Sequence, residues 1–253
     1  MVLEATMIII DNSEFMRNGD YTPTRFEAQL SAVHLLFNAK TQANPENAVG
    51  IMTMAGKSPE VKSTLTTDFG AILAALHDVK ISESCHFTTA IQIAQLALKH
   101  RENKNQRQRI VVLTASPISE DTKDLVKLAK KLKKNNISVD IISFGEDSTN
   151  EEKVEAFIQN INSAENSHLV TIPPGPHLLS DMLLGSTILG GDGEVGGVAA
   201  SGSGEQFEFG VDPSLDPELA LALKMSMEEE KARQEAGERK KEEEDRKMQV
   251  DNK

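Results

Sequence analysis

Three stretches of this chain carry side chains whose types and spacing could do chemistry. The first is Asp11-Asn12-Ser13-Glu14-Phe15, a polar loop directly after an apolar run. It holds neither a GxGxxG nor a GxxxxGK(S/T) pattern, so it is no cradle for a dinucleotide or a triphosphate. The second is Cys85-His86, a thiol beside an imidazole, the pairing that nucleophilic catalysis uses. Side chains adjacent in sequence point apart, however, and no cysteine-protease signature surrounds the pair. The six histidines are scattered, without a second His, Cys or carboxylate at a recurrent metal-ligand spacing. The third stretch, Pro217 to Glu229, does its chemistry by recognition. Leu219, Ala222, Leu223, Ser226 and Glu230 lie at steps that form one stripe on a helix, with small residues at its centre. A lone helix cannot hide such a stripe against itself, and the small side chains let a partner come close.

The elements that must position these residues follow from hydrophobic periodicity. Thr6–Ile10 is a continuous apolar run, as expected for a strand buried on both faces. Further strands are expected at Ala48–Met54, Glu60–Thr66, Arg109–Thr114, Ile137–Phe144 and His168–Ile172. Helical spacing covers Thr24–Ala43, Phe69–Leu76, Thr88–His100, Glu120–Lys134, Glu151–Ile161 and Pro176–Leu184. Strands alternating with helices of this length imply a six-stranded, mostly parallel, doubly wound α/β sheet covered on both faces. Glu60–Thr66 follows its neighbour through a short turn and is expected as an antiparallel edge strand. Met52 and Met54 read as core filler. Lys123, Lys127, Lys130 and Lys134 form a basic stripe opposite Leu125, Leu128, Ala129 and Leu132, which reads as a solvated outer face or, more sharply, as a dock for an acidic partner.

Residues 185–212 change character: Gly-rich, aperiodic and poor in large apolar groups, they are expected to be a flexible linker. Residues 213–236 return to helix. Asp216 can cap, Pro217 suits the first turn and Glu218 favours the positive end of the dipole. Glu229–Arg233, Glu235–Arg239, Glu242–Arg246 and Glu243–Lys247 are i,i+4 pairs in the better orientation, while Gly237 interrupts. Residues 237–253 form a charged tail.

With 253 residues, 39% hydrophobic content and the apolar groups concentrated in residues 1–184, one sizeable domain is expected there. A net charge of −12 argues against nucleic acid as the main ligand. One cysteine, Cys85, fits a reducing compartment. No apolar stretch approaches the ~20 residues needed to cross a bilayer, and no secretory leader is visible. The expectation is a protein of cytoplasm and nucleus that engages neither membrane nor nucleic acid.

Two resemblances sharpen this. The stretch with acids upstream, Leu219, Ala222 three on, Ser226 four further and Glu229 three beyond resembles the ubiquitin-interacting motif. That resemblance implies ubiquitin contacts from Glu218, Leu219, Ala222, Leu223, Ser226, Glu229 and Glu230. The loop at Asp11 resembles the first metal-binding loop of von Willebrand factor type A domains, Asp-x-Ser-x-Ser, whose ion is completed by a Thr and a further Asp. Here Asp11 and Ser13 are kept and Thr89 is the candidate Thr, but Phe15 stands where the second Ser belongs and Ala115 where the Asp belongs. With two of five oxygen ligands missing, no metal and no cofactor are expected; Asp11 and Ser13 are read instead as a candidate docking loop.

Across nearly its whole length, including DNSEFMRNGDY, HLVTIPPGP and FEFGVDPSLDPELALAL, the chain resembles proteasome regulatory-particle ubiquitin receptors, which pair an N-terminal A domain with C-terminal ubiquitin-interacting motifs. The resemblance implies a non-enzymatic receptor. Its partners would be polyubiquitin chains and the base and lid subunits of the proteasome. Rival readings are a free ubiquitin-binding shuttle and a metal-dependent A-domain binding module.

Overall fold

The computed structural model describes residues 3–189 apart from 83, 163–165 and 176, and at 147 and 148 the backbone only. Backbone contacts divide the chain into two units, Met1–Val198 and Ala199–Lys253; the described residues belong to the first. The expected helix at Pro217–Glu229, the expected charged tail and almost all of the expected linker lie outside the described residues.

Six strands, β1 (Glu4–Ile10), β2 (Ala48–Thr53), β3 (Glu60–Thr66), β4 (Arg107–Thr114), β5 (Ile137–Phe144) and β6 (Leu169–Ile172), form one sheet in the order β3-β2-β1-β4-β5-β6. Every pairing is parallel except β2 with β3. The expected doubly wound sheet with an antiparallel edge is therefore present. The two long central strands alternate their side chains between two cores. Met7, Ile9, Ile110 and Val112 face α3 (Phe87–Lys99), α4 (Thr122–Lys134) and α5 (Asp147–Ile161). Ile8, Ile10, Val111 and Leu113 face α1 (Arg25–Ala43), α2 (Phe69–His77) and α6 (Leu179–Leu184).

Local chemistry sets the ends of these elements. Thr24 caps α1 by accepting the Glu27 N–H at 3.2 Å. In α4, Leu125, Leu128, Ala129 and Leu132 are all buried, and each such Leu adds about 1.5–3 kcal/mol relative to exposure. The chain leaves α4 through Asn136 at φ 55°, a left-handed residue of the type that terminates helices. A Cβ at Gly50 in β2 would lie 2.9 Å from Met7 Cε, so the bare glycine makes room for Met7 in the core. Several bounds differ from the sequence expectation: β1 and β4 begin earlier, at Glu4 and Arg107, and α6 begins at Leu179 rather than Pro176. A single 3-10 turn, Glu14–Arg17, follows the first loop, and α5 begins at Asp147 rather than Glu151.

At the strand-beginning edge, five charged or ionisable groups form a ladder across the sheet. Lys40 Nζ sits 3.0 Å from Glu4, whose other oxygen is 3.3 Å from Arg109 Nε. Arg109 pairs in turn with Asp140, whose Oδ1 accepts the His168 backbone N–H at 3.1 Å. Asp140 is fully buried. Burial alone would raise its pKa, but the His168 hydrogen bond and the Arg109 charge bring it below the ordinary value.

Candidate functional site

The strands end at the opposite edge, where parallel α/β sheets gather their loops. The loop after β1 is the hub. Asp11, fully buried, has its backbone clamped by Gln29 of α1: its N–H donates to Gln29 Oε1 at 2.9 Å, and Gln29 Nε2 donates to its carbonyl at 2.8 Å. Its carboxylate accepts two backbone N–H groups, Ser13 at 2.8 Å and Ala115 at 3.1 Å. The second contact ties the β1 loop to the β4 loop across 104 residues of sequence.

Asn12, which the sequence reading did not single out, ties the same loop to β2 and the α2–α3 connection. Its Oδ1 accepts the Ala55 N–H at 2.9 Å, its Nδ2 donates to the Lys80 carbonyl at 2.8 Å, and its carbonyl accepts the Ser82 N–H at 2.7 Å.

Arg25, 3% exposed, is the second hub. Its guanidinium grips both oxygens of Asp20 at 2.7 Å, donates to the Ala115 carbonyl at 3.1 Å and lies 3.6 Å from Glu146. The hydrogen bond from Arg25 is the main reason the Asp20 carboxyl is held below its usual range. Gly145, at φ 95°, lets the β5 loop lie over this guanidinium: a Cβ there would fall 2.5 Å from Arg25 Cζ. Tyr21 completes the set. Its hydroxyl donates to the Ile172 carbonyl at the end of β6 and accepts the Gly145 N–H at 3.1 Å. Asn150 of α5 accepts from the Ile118 N–H at 2.8 Å and donates to the Ser116 carbonyl at 2.9 Å. The loops after β1, β4 and β5 and the end of β6 are thus joined into one rigid platform.

The structure separates the two kinds of residue in the candidate docking loop. Asp11 and Ser13 are buried and hold the loop from beneath. What the loop presents outward is Glu14, Phe15 and Arg17, with Phe15 40% exposed above the buried Met16. Thr89 is exposed on the first turn of α3, whereas the hydroxyl of its neighbour Thr88 is buried without a hydrogen-bond partner among the described residues. The Thr88 N–H donates to Glu120 at 2.9 Å.

The loops offer one carboxylate, Asp11, with the buried hydroxyls of Ser13 and Thr88, a poor oxygen set for a divalent ion. Both Asp11 oxygens face N–H donors, and Phe15 and Ala115 offer no side-chain oxygen. Among the described residues, no group of three or more His, Cys, Asp or Glu side chains converges.

Cys85 and His86 do not form a catalytic pair. Burial, then the nearby Asp11 charge, pushes the Cys85 thiol up to about 12, so it stays protonated at neutral pH. His86 Nε2 lies instead 3.0 Å from the Gly56 carbonyl and 3.3 Å from Ser84 Oγ. Residues Glu218, Leu219, Ala222, Leu223, Ser226, Glu229 and Glu230 lie outside the described residues.

Residues 6–117 match the von Willebrand factor type A domain family. The chain is 57% identical to the 26S proteasome regulatory subunit rpn10 of Schizosaccharomyces pombe over 251 residues, 98% of this chain and 100% of the relative. It is 53% identical to the 26S proteasome regulatory subunit RPN10 of Saccharomyces cerevisiae over 239 residues, 91% of this chain and 89% of the relative. A 26S proteasome non-ATPase regulatory subunit 4 homolog of Arabidopsis thaliana is 56% identical over 247 residues, 95% of this chain and 64% of the longer relative. The crystal structure of the SpRpn10 VWA domain superposes with TM-score 0.72 at 56% identity, covering 77% of this chain and 100% of that one. At such identity to rpn10 of Schizosaccharomyces pombe over nearly the whole of both chains, the chain belongs to the family of 26S proteasome regulatory subunits that includes Rpn10 and non-ATPase regulatory subunit 4.

Proposed function

We propose that the chain is a non-catalytic polyubiquitin receptor of the proteasome regulatory particle. In this reading the A domain docks where base and lid meet, and the C-terminal helix captures ubiquitylated substrates for degradation. The observation that carries it is the match to proteasome regulatory subunits along essentially the whole chain, tail included, together with the spacing Leu219, Ala222, Ser226, Glu229. The tied loops support the docking half, since a stiff platform loses little entropy on association.

Leu219, Ala222 and Leu223 would cover an apolar patch on ubiquitin. Ser226 would hydrogen-bond a backbone group there, and Glu218, Glu229 and Glu230 would meet its basic rim. One short helix buries far less than the ~1,600 Å² of a standard interface, so a single contact is weak and short-lived. Affinity then comes from several linked ubiquitins engaging neighbouring receptors. A Gly-rich linker reaches roughly 5–6 Å × √n, which gives the helix a search radius of tens of ångströms. The protein would work in cytoplasm and nucleus, with neither membrane nor nucleic acid as partner.

Two measurements test the two halves. Tetra-ubiquitin should be retained by the whole chain and lost by a chain cut at Gly210; equal retention would refute the receptor half. Residues 1–184 should co-sediment with the proteasome; failure to do so would favour a free shuttle.

A further inference from the structure

The thirteen residues of α4 hold six lysines, Lys123, Lys127, Lys130, Lys131, Lys133 and Lys134, all exposed, against a single carboxylate, Asp124. Two are engaged: Lys127 pairs with Asp124 at 2.8 Å, and Lys133 donates to the Asn162 carbonyl at 2.8 Å. Lys123, Lys130, Lys131 and Lys134 have no ion pair among the described residues. Several sit three or four apart, where like charges repel across one helix face.

The helix dipole favours Lys131, Lys133 and Lys134 in the last turn, but it does not explain Lys127 and Lys130, and it disfavours Lys123 in the first turn, at the positive end. The stripe runs the length of the helix, about 17 Å at 1.5 Å per residue. It is concentrated on a chain whose net charge is −12. The fold buries the apolar face of α4 in the core and leaves four of the six lysines on the outer face without an ion pair or hydrogen bond among the described residues.

We infer that the outer face of α4 is an interaction surface for an acidic segment of a partner protein, a helix or extended stretch presenting carboxylates along about 17 Å. The cations of the face are all lysine, with no arginine fork and no aromatic ring. That composition suits separate carboxylates as point charges and lacks the bidentate and stacking groups that nucleic acids draw on. The inference rests on the docking reading above and names the charge pattern of the partner surface in the regulatory particle. Contacts of this kind chiefly set the association rate and its salt dependence.

The test compares the full chain with two triple variants, Lys123→Glu/Lys130→Glu/Lys134→Glu and the same positions changed to Gln. Association with regulatory particle lacking this subunit is measured at low and high salt, and tetra-ubiquitin binding and thermal melting are measured alongside. The charge reversal should slow association about tenfold at low salt and much less at high salt, with the Gln variant between them. Melting and tetra-ubiquitin binding should be unchanged. If the parent chain binds the particle and both variants bind at the same rate with the same salt slope, the inference is overturned. If the parent chain does not bind the particle, the docking reading falls and takes the inference with it. Salt-sensitive binding of the parent chain to single-stranded RNA, lost on charge reversal, would assign the face to nucleic acid and overturn it too.

Discussion

Replacing Asp11 with Asn keeps the shape of the side chain and changes only what it can accept. The carboxylate takes two backbone N–H groups, from Ser13 at 2.8 Å and Ala115 at 3.1 Å, in a position with no solvent exposure. A carboxamide has one acceptor. Whichever way it turns, its NH2 group confronts one of those N–H donors. A hydrogen bond to a charged group contributes about 1.5–3 kcal/mol, and a buried donor left unpaired costs about 1–3 kcal/mol. The two figures overlap in what they count, so the expected loss is about 3 kcal/mol. For a domain of this size each kcal/mol moves Tm by about 2–4 °C, so the variant should melt about 6–12 °C lower.

Asp11→Ala should lose at least as much, since both N–H groups are stranded. Thermal melts of residues 1–184, with and without Mg²⁺, read this directly. The variant should also dock less well, because the outward Glu14, Phe15 and Arg17 ride on the loop that Asp11 holds. A melting point within about 2 °C of the parent would refute the hydrogen-bond account. A melting point raised by Mg²⁺ in the parent but not in the variant would show that the carboxylate holds an ion instead.

Gly145→Ala should destabilise by about 2–4 kcal/mol, because a Cβ would meet Arg25 Cζ at 2.5 Å and φ 95° adds strain; a urea midpoint equal to the parent's would sink this. Tyr21→Phe leaves the Ile172 carbonyl and the Gly145 N–H without their partner and should cost about 1–3 kcal/mol, measured the same way.

Acid should weaken the fold through Glu4, Asp20 and Asp140, all held below their ordinary pKa values. In Glu4 burial is outweighed by Arg109 and Lys40, Asp20 is held chiefly by its Arg25 hydrogen bond, and in Asp140 burial is outweighed by His168 and Arg109. On acidification the unfolded chain binds protons first. The stability these groups add is therefore complete above about pH 5 and drains as pH falls through about 4 and below. The urea midpoint should decline over that window, less steeply in Asp140→Asn; a flat profile to pH 3 would contradict it. Ala222→Trp should abolish tetra-ubiquitin retention without changing the melting point, and unchanged affinity in titration would reject the face assigned to that helix.

The sheet was legible because its central strands are buried on both faces. Thr6–Ile10 read as a continuous apolar run and Arg109–Thr114 as a second buried strand, and α4 declared itself through leucines at helical spacing. The ion ladder was not legible. Glu4, Arg107 and Arg109 lie at strand beginnings, where a charge reads as the end of an element, so β1 and β4 start earlier than periodicity suggested. Asp11 could be found from a local pattern. That its oxygens are filled by N–H groups could not, because Ala115 arrives from 104 residues away. Arg25, Tyr21 and Asn150 have no local signature at all: Tyr21 and Ile172 meet across 151 residues. The one signal for Asn12 was its place between two recognised loop residues, with a side chain able to donate and accept at once.

The Tyr21 bond to Ile172 has a mechanical consequence. Tension applied to the chain beyond Leu189 enters the fold through Ile188 and then α6, a six-residue helix anchored by Leu179 and Leu183, which should peel away together under modest load. The next element back along the chain is β6, four residues long and at the sheet's margin, with its final carbonyl latched to a ring wedged against Phe144. A pull from that side would thus shed α6 and stall at the latch, leaving the tied loops in place.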